Sequence, residues 1–278
     1  MRTSSFAAIP LAAIVVASLA ACSPFDPGSA PDAGSTPPPP PDVVTPDDAM
    51  GGGASEDGTA AAHFSFFYTS LAAMQRLSGN EKGFGGDLRF GMPTGIEGAD
   101  KICQTIAGDV GFGSKTWRAF LSATRGPDGQ VVNAIDRVGE GPWYDRQGRL
   151  IAQDKAGLLA DRPLGDPSAV NDLPDETGDG TSSRGSTYDA ITGSNTSGRL
   201  YYPDRKNSCN DWTNSTLEAV FVMCGHAWLA TGIAHWIQAH PERSCVAGYN
   251  ITSNGTSDGS SIGAGGGWGG FYCFALTP

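Results

Sequence analysis

Three of the chain's histidines, His226, His235 and His240, fall close together, with Cys224 two residues before the first. Imidazole nitrogen and thiolate sulfur are donors that suit zinc, so a Cys-x-His pair with two further histidines has the composition of a zinc site. The spacing matches no common zinc motif, and the competing assignment is a set of histidines packed around Trp228 and Trp236 in a loop. If Cys224 and His226 lie on a strand, positions i and i+2 share a face and make a thiol–imidazole pair. Nothing nearby in sequence orients that histidine. A second donor set is acidic: Asp172, Asp175, Glu176 and Asp179 lie in the polar run from Leu164 to Ser186. Carboxylate oxygens suit calcium, although the spacing is not that of an EF-hand loop. Calcium in this loop is the one cofactor expectation, set against an ordinary solvated loop. Aromatic side chains on loops stack on sugar rings or on a partner protein. Trp143 and Trp212 read as core. Trp268, inside the glycine-rich run Gly263 to Gly270, reads as the exposed one.

Other motifs carry less. Gly108 to Thr116 mimics a phosphate loop, but Ser114 separates the last glycine from Lys115, and a helix precedes it where a strand is required. There is no G-x-S-x-G and no H-E-x-x-H.

The elements that must position these residues are short. Ala99, Ile102, Cys103, Ile106 and Val110 fall on one helical stripe within Gly95 to Thr124. Thr94 and Glu97 have the spacing of a capping box, and Gly108, Gly111 and Gly113 stop the helix. Trp117 to Ser122 then alternates as a strand. An aromatic first strand is expected at His63 to Leu71, and further short strands at Val131 to Asp136, Gly141 to Asp145, Arg149 to Ala152, Tyr188 to Gly193 and Val220 to Met223. Phe271 to Leu276 closes the chain as a last strand.

Residues 1–22 form an export signal: Arg2, an apolar run from Phe6 to Ala21, and Leu19-Ala20-Ala21-Cys22, which matches a bacterial lipobox. That match implies cleavage before Cys22 and its acylation, making the lipid bilayer a partner through a multi-chain anchor. By resemblance to Gram-negative lipoproteins, Ser23 after the cysteine favours the outer membrane, with the domain facing the periplasm or the cell surface. Residues 23–60, rich in Pro, Gly and Asp, form a disordered tether. Residues 61–278 suffice for one single-core domain. Thirty-nine glycines and 17% charged residues suit a loop-rich, β-containing exported fold. The net charge of -11, with no basic patch, argues against nucleic acid as a partner. Five cysteines remain once Cys22 is acylated, and export makes disulfides the expectation, with one thiol left over.

Gly98-Ala99-Asp100-x-x-Cys103, then Arg118-Ala119-Phe120-Leu121-Ser122, resembles the start of the endostatin domain of collagens. Thr192-Gly193-Ser194 with Gly198, Cys209-x-x-Trp212, Ser244-Cys245 and Tyr272-Cys273 follow in the endostatin-like order. The chain is also similar to bacterial surface lipoproteins that carry such a domain after a lipobox and tether. The resemblance implies an α+β, C-type lectin-like fold of short antiparallel strands, one or two helices and long loops. It implies disulfides Cys103–Cys273 and Cys209–Cys245, with Cys224 as the odd thiol. The sugar-binding E-P-N and Q-P-D tripeptides are absent, and Asn210-Asp211-Trp212 follows a cysteine where those lectins place W-N-D before one. Their calcium and sugar ligands therefore have no counterpart here, and neither do endostatin's N-terminal zinc histidines. Taken together, the sequence leads to the expectation of a non-enzymatic surface domain binding an extracellular glycan or protein. The alternatives are a structural envelope lipoprotein, or a metal-dependent hydrolase using His226, His235 and His240.

Overall fold

The computed structural model describes residues 62–180, 188–229, 235–252 and 258–277, all within one compact unit, Gly53–Pro278. The export signal at residues 1–22 with Cys22, and the tether at 23–60, lie outside the described residues. Among the described residues, no helix is long and apolar enough to cross a membrane.

The first strand, β1 (Phe66–Tyr68), leads into helix α1 (Leu71–Ser78), whose first turn is capped by Ser70. Helix α2 (Gly95–Asp109) begins at a capping box, in which Glu97 N donates to Thr94 Oγ1 at 3.2 Å and Thr94 N donates to Glu97 Oε2 at 3.2 Å. Its apolar stripe of Ile96, Ala99, Ile102, Cys103 and Ile106 is buried. At Gly98 a Cβ would lie 2.1 Å from the carbonyl oxygens of Leu88 and Arg89, so the incoming chain lies directly on the helix. Strand β2 (Trp117–Ala119) follows.

Strands β1 and β2 flank the last strand, β9 (Tyr272–Ala275), in an antiparallel three-stranded sheet. The Cys103–Cys273 disulfide fastens α2 to the centre of this sheet, and Cys209–Cys245 closes a second loop. With sequence separations of 170 and 36, these cross-links correspond to about 5 and about 4 kcal/mol of denatured-chain entropy. Phe64, Phe66, Trp117, Trp236 and Phe274 fill the core beside them.

Strands β3 (Trp143–Tyr144) and β4 (Leu150–Ala152) form a small hairpin. The third sheet has the order β7-β6-β5-β8, built from β5 (Asp189–Ile191), β6 (Glu218–His226), β7 (His240–Ser244) and β8 (Gly267–Gly270). Its pairings are antiparallel except β5 with β8. The fold is thus mixed α+β, with short, mainly antiparallel strands, a few helices and two disulfides.

Two expectations about elements change. Val131 to Asp136 is not a strand; Ala134–Arg137 is a 3₁₀ turn. Ala134 N donates to Ser122 Oγ at 3.0 Å, and Arg137 reaches Ala119 O and the Asp100 carboxylate, so tertiary bonds override the β-branched composition. The end of the glycine-rich run is also strand rather than loop: Gly267–Gly270 is β8, and the glycines at the paired positions, Gly267 and Gly270, let it lie against β5.

Candidate metal centre

Alternation along three adjacent strands puts a polar set on one face of the third sheet. Asp189 pairs with His226 across β5 and β6, and Cys224 pairs with His240 across β6 and β7. Directly opposed residues of an antiparallel pair share a face, as do i and i+2 on one strand. Asp189, Cys224, His226, His240 and Glu242 therefore point the same way. Asp189, His226 and Glu242 are buried, and the His240 side chain is 31% exposed, which gives the group its one opening among these side chains.

Asp189 Oδ1 lies 3.4 Å from His226 Nε2 and 3.0 Å from His240 Nε2, and one donor atom from each residue falls within 4.8 Å of the others. The two rings meet edge to face, at 71° with centroids 5.0 Å apart. Neither carboxylate oxygen of Asp189 has a hydrogen-bond partner, and neither do His226 Nδ1, His226 Nε2 or His240 Nε2. The 3.0 Å approach of His240 Nε2 to Asp189 Oδ1 is a close ion-pair contact when the imidazole is protonated. Unsatisfied buried polar atoms are uncommon in folded proteins, and each costs about 1–3 kcal/mol.

The protonation states follow from the surroundings. The Asp189 carboxylate beside His240 raises its pKa to about 9, with Glu242 adding to the pull. Burial lowers the pKa of His226 and leaves it neutral, its lone pair available. Burial, then Asp189 and Glu242, raise the Cys224 thiol well above its ordinary value, so the sulfur stays protonated. Cys224 is free of disulfides and points its S–H at Val222 O, 3.4 Å away. A protonated, buried thiol is a poor nucleophile, and Cys224 is not among the residues whose donor atoms converge. Glu242 Oε1 lies 3.9 Å from His240 Nδ1, beyond hydrogen-bond distance. Above both carboxylates the chain passes at Gly265, where a Cβ would lie 2.0 Å from Glu242 Oε1 and 2.9 Å from Asp189 Oδ2.

These residues fit a zinc-class ion. A tetrahedral ion with donors at about 2.0–2.1 Å holds neighbouring donors about 3.3–3.4 Å apart, which matches the 3.4 Å from Asp189 Oδ1 to His226 Nε2 and is a little longer than the 3.0 Å to His240 Nε2. Two imidazoles and one carboxylate suit zinc and related first-row metals, whereas calcium takes an all-oxygen shell.

Of the residues the sequence raised, His226 and His240 come together and His235 does not. His235 Nδ1 accepts from Ile237 N at 3.0 Å, and its carbonyl accepts from His226 N at 3.1 Å, so its backbone positions His226 while its ring turns back on its own chain. Asp189 was missed. Its signal was the alternation Asp189–Ala190–Ile191, which puts a carboxylate on the same inward face as Ile191. The acidic loop does not converge. Asp175 accepts from Thr177 N and Oγ1 in a local turn, Glu176 accepts from Ser70 N and Oγ, and Asp172 packs on Gly180. Among the described residues neither these nor Asp179 join a group of three donors, and nothing points to calcium. Trp268 is buried, not exposed: its Nε1 donates to Thr69 O at 2.9 Å, and its ring packs on Tyr68 and Tyr188.

The expectation of a domain without enzymatic chemistry is overturned by the Asp189–His226–His240 cluster, an arrangement that metal-dependent catalysis employs. A scan against protein-family models and a search of the curated proteins both found no match.

Proposed function

We propose that the chain is a zinc-class metalloprotein of the cell envelope, with the character of a metal-dependent hydrolase, centred on Asp189, His226 and His240. The observation that carries this is the convergence of three ligands, two imidazoles and one carboxylate, with buried atoms that have no hydrogen-bond partner in the protein. Three protein donors leave a coordination position open, the pattern of catalytic rather than closed structural zinc sites. A bound zinc-class ion supplies Lewis acidity there. The chain's own residues do the rest. Asp189 brings negative charge to two imidazoles, and neutral His226 presents its nitrogen without losing a proton. Glu242, with Oε1 3.9 Å from His240 Nδ1, adds negative charge beside that ring.

The wider setting is part of the same proposal. The lipobox at Cys22 anchors the chain to the outer membrane, and the fold is of the endostatin-like, C-type lectin-like type. The two disulfides, at the positions that resemblance implies, support this.

The test is metal content and hydrolysis together. After EDTA treatment and dialysis against zinc, the full-length chain is expected to retain one zinc per molecule and to cleave 4-nitrophenyl acetate above background. His226→Ala should lose both. A folded chain that retains no zinc removes the proposal; zinc retention without hydrolysis removes its catalytic part.

A further inference from the structure

On the opposite face of the same sheet lies a second feature. Few large apolar side chains are exposed among the described residues, and three of them, Tyr201, Tyr202 and Phe221, gather at one cavity of about 410 Å³. That volume is in the range of small-ligand clefts, about 300–1,000 Å³. Its floor includes Met223 and Pro241, a cross-strand pair adjacent to Cys224 and His240. Successive strand residues point to opposite faces, so the cavity and the metal centre are separated by the sheet itself.

The lining has two chemistries. The Tyr201 and Tyr202 rings are tilted by 44° with centroids 6.0 Å apart, so neither covers the other's face. Phe221 stands 51% exposed, with the Arg243 guanidinium 5.9 Å from its ring centroid. Around these rings sit a carboxylate, an ammonium and a carboxamide, from Asp204, Lys206 and Asn207. Asp204 also caps the turn that follows it, accepting from Lys206 N at 2.9 Å, which fixes the rim.

We infer that this cavity is a calcium-independent binding site for a neutral saccharide. A sugar ring offers apolar C–H faces to aromatic rings and, around its edge, hydroxyls that both donate and accept. The cavity answers the faces with three aromatic rings and the edge with acceptor, donor and mixed groups. One carboxylate among the lining residues is too few for a calcium shell, which takes six to eight oxygens. A protein-docking patch has a larger, charge-depleted centre, whereas this concavity has charged groups at its rim.

The test uses the full-length chain in EDTA, titrated calorimetrically with cellohexaose, maltohexaose, xylohexaose and chitohexaose. At least one is expected to bind, and Tyr202→Ala and Phe221→Ala should each weaken it by about tenfold or more, the loss of one stacking anchor. Both side chains are exposed, so thermal stability and zinc uptake should not move. Failure of all four probes at about 10 mM, where even millimolar affinity would register, overturns the inference. So does binding that both variants leave intact, binding that requires added calcium, or variants whose effect is on self-association and not on saccharide. None of these outcomes bears on zinc uptake, which reports the centre on the other face.

Discussion

Asp100 and Asp189 are both buried carboxylates, and their surroundings differ in kind. Asp100, on α2, accepts from Arg118 Nη1 at 2.7 Å, Arg137 Nη2 at 2.6–2.7 Å and Ala119 N at 3.0 Å. These bonds join a helix, a strand and a 3₁₀ turn, and they satisfy both oxygens. Asp189, at the start of β5, faces two imidazoles and has no hydrogen bond to either oxygen. Asp145 and Asp211, also buried, resemble Asp100: each accepts from an arginine and from backbone or hydroxyl donors. Where a buried aspartate serves the fold, the chain supplies its donors. Where it does not, the carboxylate faces two imidazoles, the setting in which the proposed ion would bind.

That contrast can be broken or sharpened in order of effect. The largest change is expected on the structural side. Replacing Cys103 and Cys273 together by Ala should cost about 5 kcal/mol in urea unfolding, because α2, and Asp100 with it, lose their tether to β9. Asp100→Ala should cost about 3–5 kcal/mol, since it strands the largely buried Arg137 guanidinium. Asp189→Asn in EDTA, measured above about pH 9 where His240 has lost its charge, should change stability by no more than about 1 kcal/mol. If the two aspartate variants cost the same, the distinction fails.

Zinc should act on one region only. At about 100 times its dissociation constant it should add about 2.7 kcal/mol to the wild-type chain and nothing to Asp189→Asn or His226→Ala. Asp100→Ala, where it folds, should keep the full shift.

The pH dependence has a definite sign. In the metal-free chain the folded pKa of His240, about 9, lies above its ordinary value near 6.5. Its contribution is fully present below about pH 6.5 and is lost as pH rises through about 9, on the order of 1–3 kcal/mol given its partial exposure. Asp189→Asn should flatten this slope in a urea series run between those limits. Zinc competes with the same proton, so zinc affinity should rise with pH across the same window.

The smallest effect belongs to His235→Ala. It should cost about 1 kcal/mol, for the lost bond from Ile237 N, and leave zinc uptake unchanged. Loss of zinc in that variant would instead return His235 to the centre.

How far the sequence reveals all this depends on the range of each interaction. The capping box at Thr94 and Glu97 and the stripe from Ala99 to Ile106 are local patterns, and both were legible. The disulfide pairing followed from a resemblance in cysteine order, since five cysteines alone leave several pairings open. The site was half legible. His226 and His240 stood out by residue type, but their third member lies on a strand 37 residues before His226 in the chain (226 minus 189), and only pairing across β5 and β6 brings it in. His235 misled because nearness in sequence was taken for nearness in space, whereas its ring folds back on Ile237. Trp268 misled because glycines around it suggested a loop; the same glycines let a strand pack closely and bury the indole.

The central claim, that Asp189, His226 and His240 hold a zinc-class ion, is tested most directly by zinc X-ray absorption on the full-length chain loaded with one equivalent. The account predicts a first shell of nitrogen and oxygen at about 2.0–2.1 Å with two imidazole ligands, falling to one in His226→Ala and unchanged in His235→Ala. A sulfur ligand at about 2.3 Å, a shell that His226→Ala leaves intact, or no zinc taken up at all would contradict it.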